Sequence, residues 1–490
     1  MRGLVGVGER PKLPVTFFVL VAVSVAIGIY AGSKAAFQFK TMFYALILSN
    51  VLIAAYLLLI KNVTYGILVY LYSLTFLNFY WRIVLPGRWP DLDIPRLVFV
   101  FLWLVFLLEV ALGVRKLLPR TKIEIAMLFV VAAVILSMST NGRVQIRQLL
   151  NGFAIPYAMF VVSKNVFRTE KEINRLIYLL AVPLSIYFPV NHMFEHYRLH
   201  QFVFPRYILS PQIAGQEIYW GQRTMGVFLQ PSATGMAMVS IFVLSLYGLS
   251  KSKRALSKIV AAFITMLTPV AVFFTYTRSV YLGFFMAMTI LALFSRRMKI
   301  YGIIIISMIF LGILANWDNV KTENRAAGGL ATKHTVQSRL VLYQAGLAMF
   351  QDHPFRGVGF MRFQDEALPY VRQVRTTLLG YREAWMGKNL NMHNHFLNML
   401  IEVGLIGFVP LVLVYYFTFR ILIPARKRPT PAYDSDFVVA VWAVFAQYLS
   451  NAMFMEPRFF EFMNVLPFML AAIIIGGQQR LRLYGKQAFE

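Results

Sequence analysis

His393-Asn394-His395 opens an apolar stretch that runs on to Gly407, and Asn398 and Glu402 follow inside it. Imidazoles and a carboxylate at such spacing suit proton transfer. On a helix, His395, Asn398 and Glu402 fall on one face. A polar stripe on a lipid-soluble helix is costly, so this one should face protein or a water-filled cavity. His393 lies just before the helix, with Asn394 placed to cap it. The junction reads as an active centre where membrane meets water.

Arginines stand at the other notable clusters. Arg223-Thr224-Met225-Gly226 leads to Pro231, Tyr276-Thr277-Arg278-Ser279 joins two apolar runs, and Ser338-Arg339 opens a predicted loop helix. That helix closes on Gln351-Asp352-His353-Pro354-Phe355-Arg356-Gly357-Val358-Gly359-Phe360. Arg binds phosphate and carboxylate through a planar bidentate fork that Lys lacks. Tyr219, Trp220, Tyr381 and Trp385 are candidates for stacking on sugar rings or for headgroup anchoring.

The elements that must position these residues are membrane helices. Of 490 residues, 59% are hydrophobic and 14% charged, outside the balance of a soluble domain. The fold class is all-α: a polytopic integral membrane protein with about fourteen transmembrane helices and a helical periplasmic loop domain. Spans are predicted near 14–31, 41–60, 63–81, 97–114, 123–139, 149–163, 174–190, 233–250, 257–276, 280–295, 299–316, 396–418, 436–453 and 462–477. The weakest is 149–163, interrupted by Gly152 and Pro156. The basic start MRGLVGVGERPK precedes a long apolar run and reads as a retained first span. Short basic segments then fall on the side of the N-terminus, which places both termini in the cytoplasm and the arginine clusters outside. The outer segments are rich in Arg and poor in Lys, which suggests a phosphate-bearing ligand there. The net charge of +27 is assigned to lipid contact and orientation, not nucleic acid. Without cysteine there is no disulfide, thiolate metal site or Cys nucleophile.

The chain divides into four regions: an N-terminal bundle (1–190), a central membrane region with the first periplasmic loop and arginine sites (191–316), a large periplasmic loop (317–395), and C-terminal helices with a cytoplasmic tail (396–490). Loop helices are predicted at Ser338–Gln351 and Leu368–Arg382.

The spacing His393-Asn394…Leu397…Glu402…Gly404…Gly407 resembles the O-antigen ligase and polysaccharide polymerase superfamily. The His353–Gly359 run, Arg223-x-x-Gly226…Pro231 and Tyr276-Thr277-Arg278-Ser279 also look like that family, although Ser232 and Thr277 stand where Asn and Ser are usual. The resemblance covers roughly 215–410. The helical stripe favours His395 as the base, the motif register favours His393, and we follow the register. The resemblance implies a transferase that needs neither metal nor cofactor and inverts the sugar. Its donor is an oligosaccharide on polyprenyl diphosphate, and its acceptor a glycan or lipid A core. His393 takes the acceptor's proton, with Glu402 or His395 as orienting or substituting groups. Arg223, Arg278 and Arg339 bind the diphosphate. Gly404 and Gly407 are read as close helix packing, and His353 as ordering its turn. The implied setting is the bacterial inner membrane, with the active site periplasmic and a chain-length regulator protein as a possible partner.

Polymerisation of lipid-linked repeats is the first reading, ligation to lipid A core the second. A flippase is the third, disfavoured because charges gather at outer helix ends; Glu109 is a lone charge inside a span. His192-Met193-Phe194-Glu195-His196, with His200 extending it, has the H-x-x-E-H spacing of a zinc site. We read it instead as interfacial packing.

Overall fold

The computed structural model describes residues 63–77, 82–83, 91–138, 142–210, 224–315, 317–318, 333–374 and 392–485. The chain divides into two compact units, Met1–Val69 and Tyr70–Glu490. Only Val63–Val69 of the first are described, and they are helical. The second unit carries the candidate site and the helices that position it.

Membrane-length apolar runs dictate the architecture. In order come α1 (Val63–Phe76, which begins in the first unit), α2 (Ile94–Ala111), α3 (Lys122–Ser137), α4 (Arg143–Leu149) and α5 (Ile155–Val166). Next are α6 (Glu170–Leu176), α7 (Val182–His196), α8 (Pro231–Lys251), α9 (Ala255–Phe273), α10 (Arg278–Phe294) and α11 (Lys299–Ala315). The last are α12 (Lys333–Asp352), α13 (Phe363–Gln373), α14 (His395–Ala425), α15 (Ser435–Ala452) and α16 (Glu461–Tyr484). A two-residue antiparallel pair, β1 (Arg82–Ile83) with β2 (Leu92–Asp93), is a minor departure from the all-α expectation.

The predicted spans 14–31 and 41–60 lie outside the described residues. Each of the others coincides with a helix. Among the described residues six helical runs are long and apolar enough to cross a bilayer: Ile94–Ala111, Glu170–His196, Pro231–Lys251, Ala255–Phe273, His395–Ala425 and Glu461–Tyr484. The count of about fourteen is therefore not reached there. Helix α3, of 16 residues, extends only about 24 Å against a hydrocarbon core of about 30 Å. The 149–163 segment lies within one helical run in which a π-helical turn, Leu150–Ala154, joins α4 to α5. A Cβ on Gly152 would lie 2.8 Å from the Arg458 Cβ, so the glycine is what lets that segment approach.

Burial separates interior from rim. Pro231–Leu249 of α8 and Glu461–Gly477 of α16 are buried throughout. Gly235 and Gly248 make α8 thin enough to touch Val280 and Ile177. By contrast, α9 exposes Leu256, Ile259, Phe263, Met266, Val270 and Phe273. These recur every three or four residues, the pattern of one lipid-facing stripe. Helix α11 buries only Gly302 and Ile305.

The predicted loop helices are present with shifted ends. The first is α12, starting at Lys333; the second is α13, and residues 375–391 are outside the described chain. Val341, Leu342, Ala345 and Met349 of α12 and Phe363, Ala367 and Val371 of α13 pack with Met392 and Ile401. The start of α14 thus belongs to the core of the loop domain.

Candidate active site

Helix α14 is broken where it leaves that core. Gly404 has φ 63° and ψ −168°, a left-handed conformation that disfavours a side chain. The 21 residues after it span about 31 Å, the thickness of a hydrocarbon core. That stretch alone is long enough to cross one.

A break frees backbone groups that lipid cannot satisfy. Here the Pro354–Gly359 run satisfies them. Leu405 N donates to the Pro354 carbonyl (2.9 Å) and Ile406 N to Phe355 (3.2 Å). Val358 N and Gly359 N donate to the carbonyls of Ile401 (3.0 Å) and Glu402 (2.9 Å). A Cβ on Gly404 would sit 2.3 Å from the Phe355 oxygen, and one on Gly357 2.4 Å from the Glu402 carbonyl carbon. Gly404 is thus a helix break clamped by the loop, which corrects its reading as helix packing. Gly407 does approach a neighbour, Ala133 of α3.

The clamp fixes the start of α14. Asn394 caps it, its side chain accepting from Leu397 N at 3.0 Å. His393 precedes the cap at φ 52°. Such a conformation costs a non-glycine residue roughly 1–2 kcal/mol, and strain of this kind gathers at functional sites. Tyr276 (φ 44°), Leu229 (φ 53°) and Met361 (φ 62°) share it, and each lies in or beside one of the clusters read from the sequence.

His393 is exposed to water, but protein crowds its ring. Desolvation, with the Arg339 charge adding to it, lowers its pKa from the usual 6.5 to about 4. The imidazole is therefore a neutral acceptor at neutral pH. Arg339 of α12 is half-buried, lies 5.8 Å over the Phe454 ring and donates weakly to the Phe454 carbonyl at 3.5 Å. Desolvation lowers its pKa, and the Arg278 charge adds to that; a guanidinium stays charged regardless. Arg278, Arg339 and His393 thus form one electrostatic neighbourhood, each near enough to act on the next. Arg278 is the first residue of α10, where the helix dipole favours anions. A cation there concentrates positive potential on an end already suited to phosphate.

Arg223 lies outside the described residues, as do Tyr219, Trp220, Tyr381 and Trp385. Its neighbours are described, and they account for the H-x-x-E-H run. The Glu195 carboxylate accepts from Met225 N (2.6 Å) and Gly226 N (2.9 Å). His192 Nε2 bonds the Thr224 hydroxyl, which also donates to the Phe274 carbonyl at 3.1 Å. His196 stacks on Phe274 with centroids 3.7 Å apart. The motif therefore ties the residue after Arg223 to the turn before Arg278. Its partners are loop atoms, and among the described residues no group of three His, Asp or Glu is placed to hold a metal ion.

The polar stripe of α14 faces protein as expected. His395, Asn398 and Glu402 are all buried. The Glu402 carboxylate accepts from Arg458 Nη1 (2.5 Å) and Nη2 (3.2 Å), and Arg458 also pairs with Glu456 at 2.6 Å. His395 stacks against Phe153 and lines an apolar cavity of about 30 Å³. The structure thus places His393 on the water side, and His395 and Glu402 inside. Sequence reasoning missed Arg458: it is 56 positions from Glu402 and no spacing signals the pair. Glu109, the lone charge, meets Arg115 at 2.7 Å.

Residues 261–412 match the O-antigen ligase family model. The match supports the superfamily resemblance carried by the motifs and indicates an O-antigen ligase-like function. The matched segment holds Arg278, Arg339, the Pro354–Gly359 clamp and His393 through Gly407, whereas the Arg223 run precedes it. The matched family implies a lipid-linked glycan donor and an acceptor in a membrane. No match was found among the curated proteins.

Proposed function

We propose that the protein is an inner-membrane glycosyltransferase that polymerises polyprenyl-diphosphate-linked oligosaccharide repeats at the periplasmic face. The convergence of a neutral imidazole with two guanidinium groups carries this reading. An acceptor hydroxyl attacks the anomeric carbon as His393 removes its proton. The bond from that carbon to the diphosphate oxygen breaks, and the electron pair leaves with the diphosphate. A single displacement inverts the anomeric centre.

A sugar hydroxyl is a poor nucleophile near neutral pH, and a positioned base is worth about 10²–10⁴-fold. The leaving diphosphate gathers charge, and each charge-assisted bond from Arg278, Arg339 or Arg223 contributes about 1.5–3 kcal/mol. These cations supply the compensation that a divalent ion gives elsewhere. Glu402 and His395 act behind His393, holding the first turns of α14. His192 and Glu195 hold Thr224 to Gly226, which follow Arg223.

Ligation to lipid A core is the second reading, favoured by the description of the matched family. Purified protein with lipid-linked donor, analysed by mass spectrometry with and without lipid A core and EDTA, tests both. Lengthened lipid-linked chains support polymerisation. Glycosylated core alone supports ligation, and loss of all product with EDTA removes the metal-independent scheme.

A further inference from the structure

At the ends of α8 and α9 remote from Arg278, a cavity of about 400 Å³ is lined by Asn174, Tyr178, Lys251, Ser252, Arg254 and Ser257. Its polar groups are mostly donors. Lys251 is answered within the protein by Glu170 at 2.5 Å and Asp434 at 3.8 Å. Arg254 has no acidic partner among the described residues, and neither do the flanking Lys253 and Lys258. The guanidinium lies close enough to Tyr178 for its charge to act on the phenol. Tyr178 spends its proton on the Gly248 carbonyl at 2.7 Å. Ser257 donates to Ser252 Oγ at 2.9 Å, which leaves the Ser252 proton free to turn into the cavity. The Asn174 amide has no protein partner among the described residues.

Guanidinium, amide and hydroxyl together suit an oxyanion. The surroundings say which kind. Leu256 and Ile259 are 70% and 65% exposed at the start of α9, and Leu179 is 46% exposed on the facing helix. These side chains continue an exposed apolar surface, so the cavity stands where polar donors meet apolar walls. A soluble anion gains nothing from such apolar walls; a phospholipid uses both parts.

We propose that this cavity binds an anionic phospholipid, with its phosphodiester on Arg254, Asn174 and Ser252 and its acyl chains along Leu256, Ile259 and Leu179. An anionic headgroup is preferred over a zwitterionic one because it brings no amine to compete with the cations. The site stands apart from the proposed transfer chemistry and does not depend on it.

Native mass spectrometry of the full chain, titrated with phosphatidylglycerol or phosphatidylcholine, tests the proposal. A basic residue near the surface adds enough attraction for about a fivefold preference. Arg254→Gln should lose the preference for phosphatidylglycerol, and Asn174→Ala should weaken it. Lys427→Gln, an exposed cation outside the cavity lining, should keep it. Equal uptake of the two lipids, or an Arg254→Gln variant matching Lys427→Gln, overturns the proposal. So does displacement of phosphatidylglycerol by millimolar inorganic phosphate, which would make the ligand a soluble anion.

Discussion

His393 carries two separable properties, a proton-accepting nitrogen and a pKa held near 4 by crowding and by Arg339. His393→Ala should lower the rate of product formation about 10²–10⁴-fold while the thermal unfolding midpoint changes little, because the side chain is exposed. The pH profile tests the second property. The folded-state pKa lies below the usual 6.5, so the neutral base persists as pH falls and the acid limb of kcat/KM should lie near 4. By linkage the contribution of His393 to stability is full above 6.5 and is lost as pH falls toward 4. Arg339→Gln removes a repelling charge and should move the acid limb upward toward 6.5, in addition to weakening donor binding. An acid limb unmoved by that change would separate Arg339 from the base.

At the scale of elements, the break in α14 is the feature the sequence concealed. The apolar run continues through Gly404 without interruption, so periodicity alone reads one helix. The four bonds that hold the break come from a loop about fifty residues earlier, and local pattern carries no such information. Helix positions were legible because lipid demands long apolar runs, and the Asn394 cap because a cap is local. The H-x-x-E-H run, read as interfacial packing, hid its role for the same reason as the break: its partners, Thr224 to Gly226, lie some thirty residues on. Gly404→Ala should destabilise the fold by more than the roughly 1–2 kcal/mol of a left-handed residue, since its Cβ meets backbone at 2.3 Å. Gly312→Ala, with nothing within 4 Å of its Cβ, should leave the unfolding midpoint unchanged or slightly raised. Glu195→Gln can no longer accept from both Met225 and Gly226. The expected result is about a tenfold rise in donor KM, the loss of one charge-assisted bond, with kcat largely kept. A fall in kcat at unchanged KM would detach this motif from donor binding.

At the scale of the whole molecule, Arg278, Arg339 and His393 lie beyond the C-terminal end of α9, and Lys251 to Lys258 lie at its start. The absence of native cysteine makes this arrangement directly measurable. Arg356→Cys, on the exposed loop, should react with a membrane-impermeant maleimide in intact cells. Lys253→Cys should react only after the membrane is opened. The reverse pattern would put the proposed transfer on the cytoplasmic side, where its periplasmic acceptors are absent.

The complete enclosure of α8 has a consequence for biogenesis. A nascent chain emerges in order, and α8 leaves the ribosome long before α15 and α16 are translated. Until those C-terminal helices arrive, α8 must wait in the bilayer or beside the translocon with the face that α15 covers, Ser240 included, unfilled. A premature stop codon after α14 would strand it there, and quality-control proteolysis would then remove even the upstream helices that had inserted correctly.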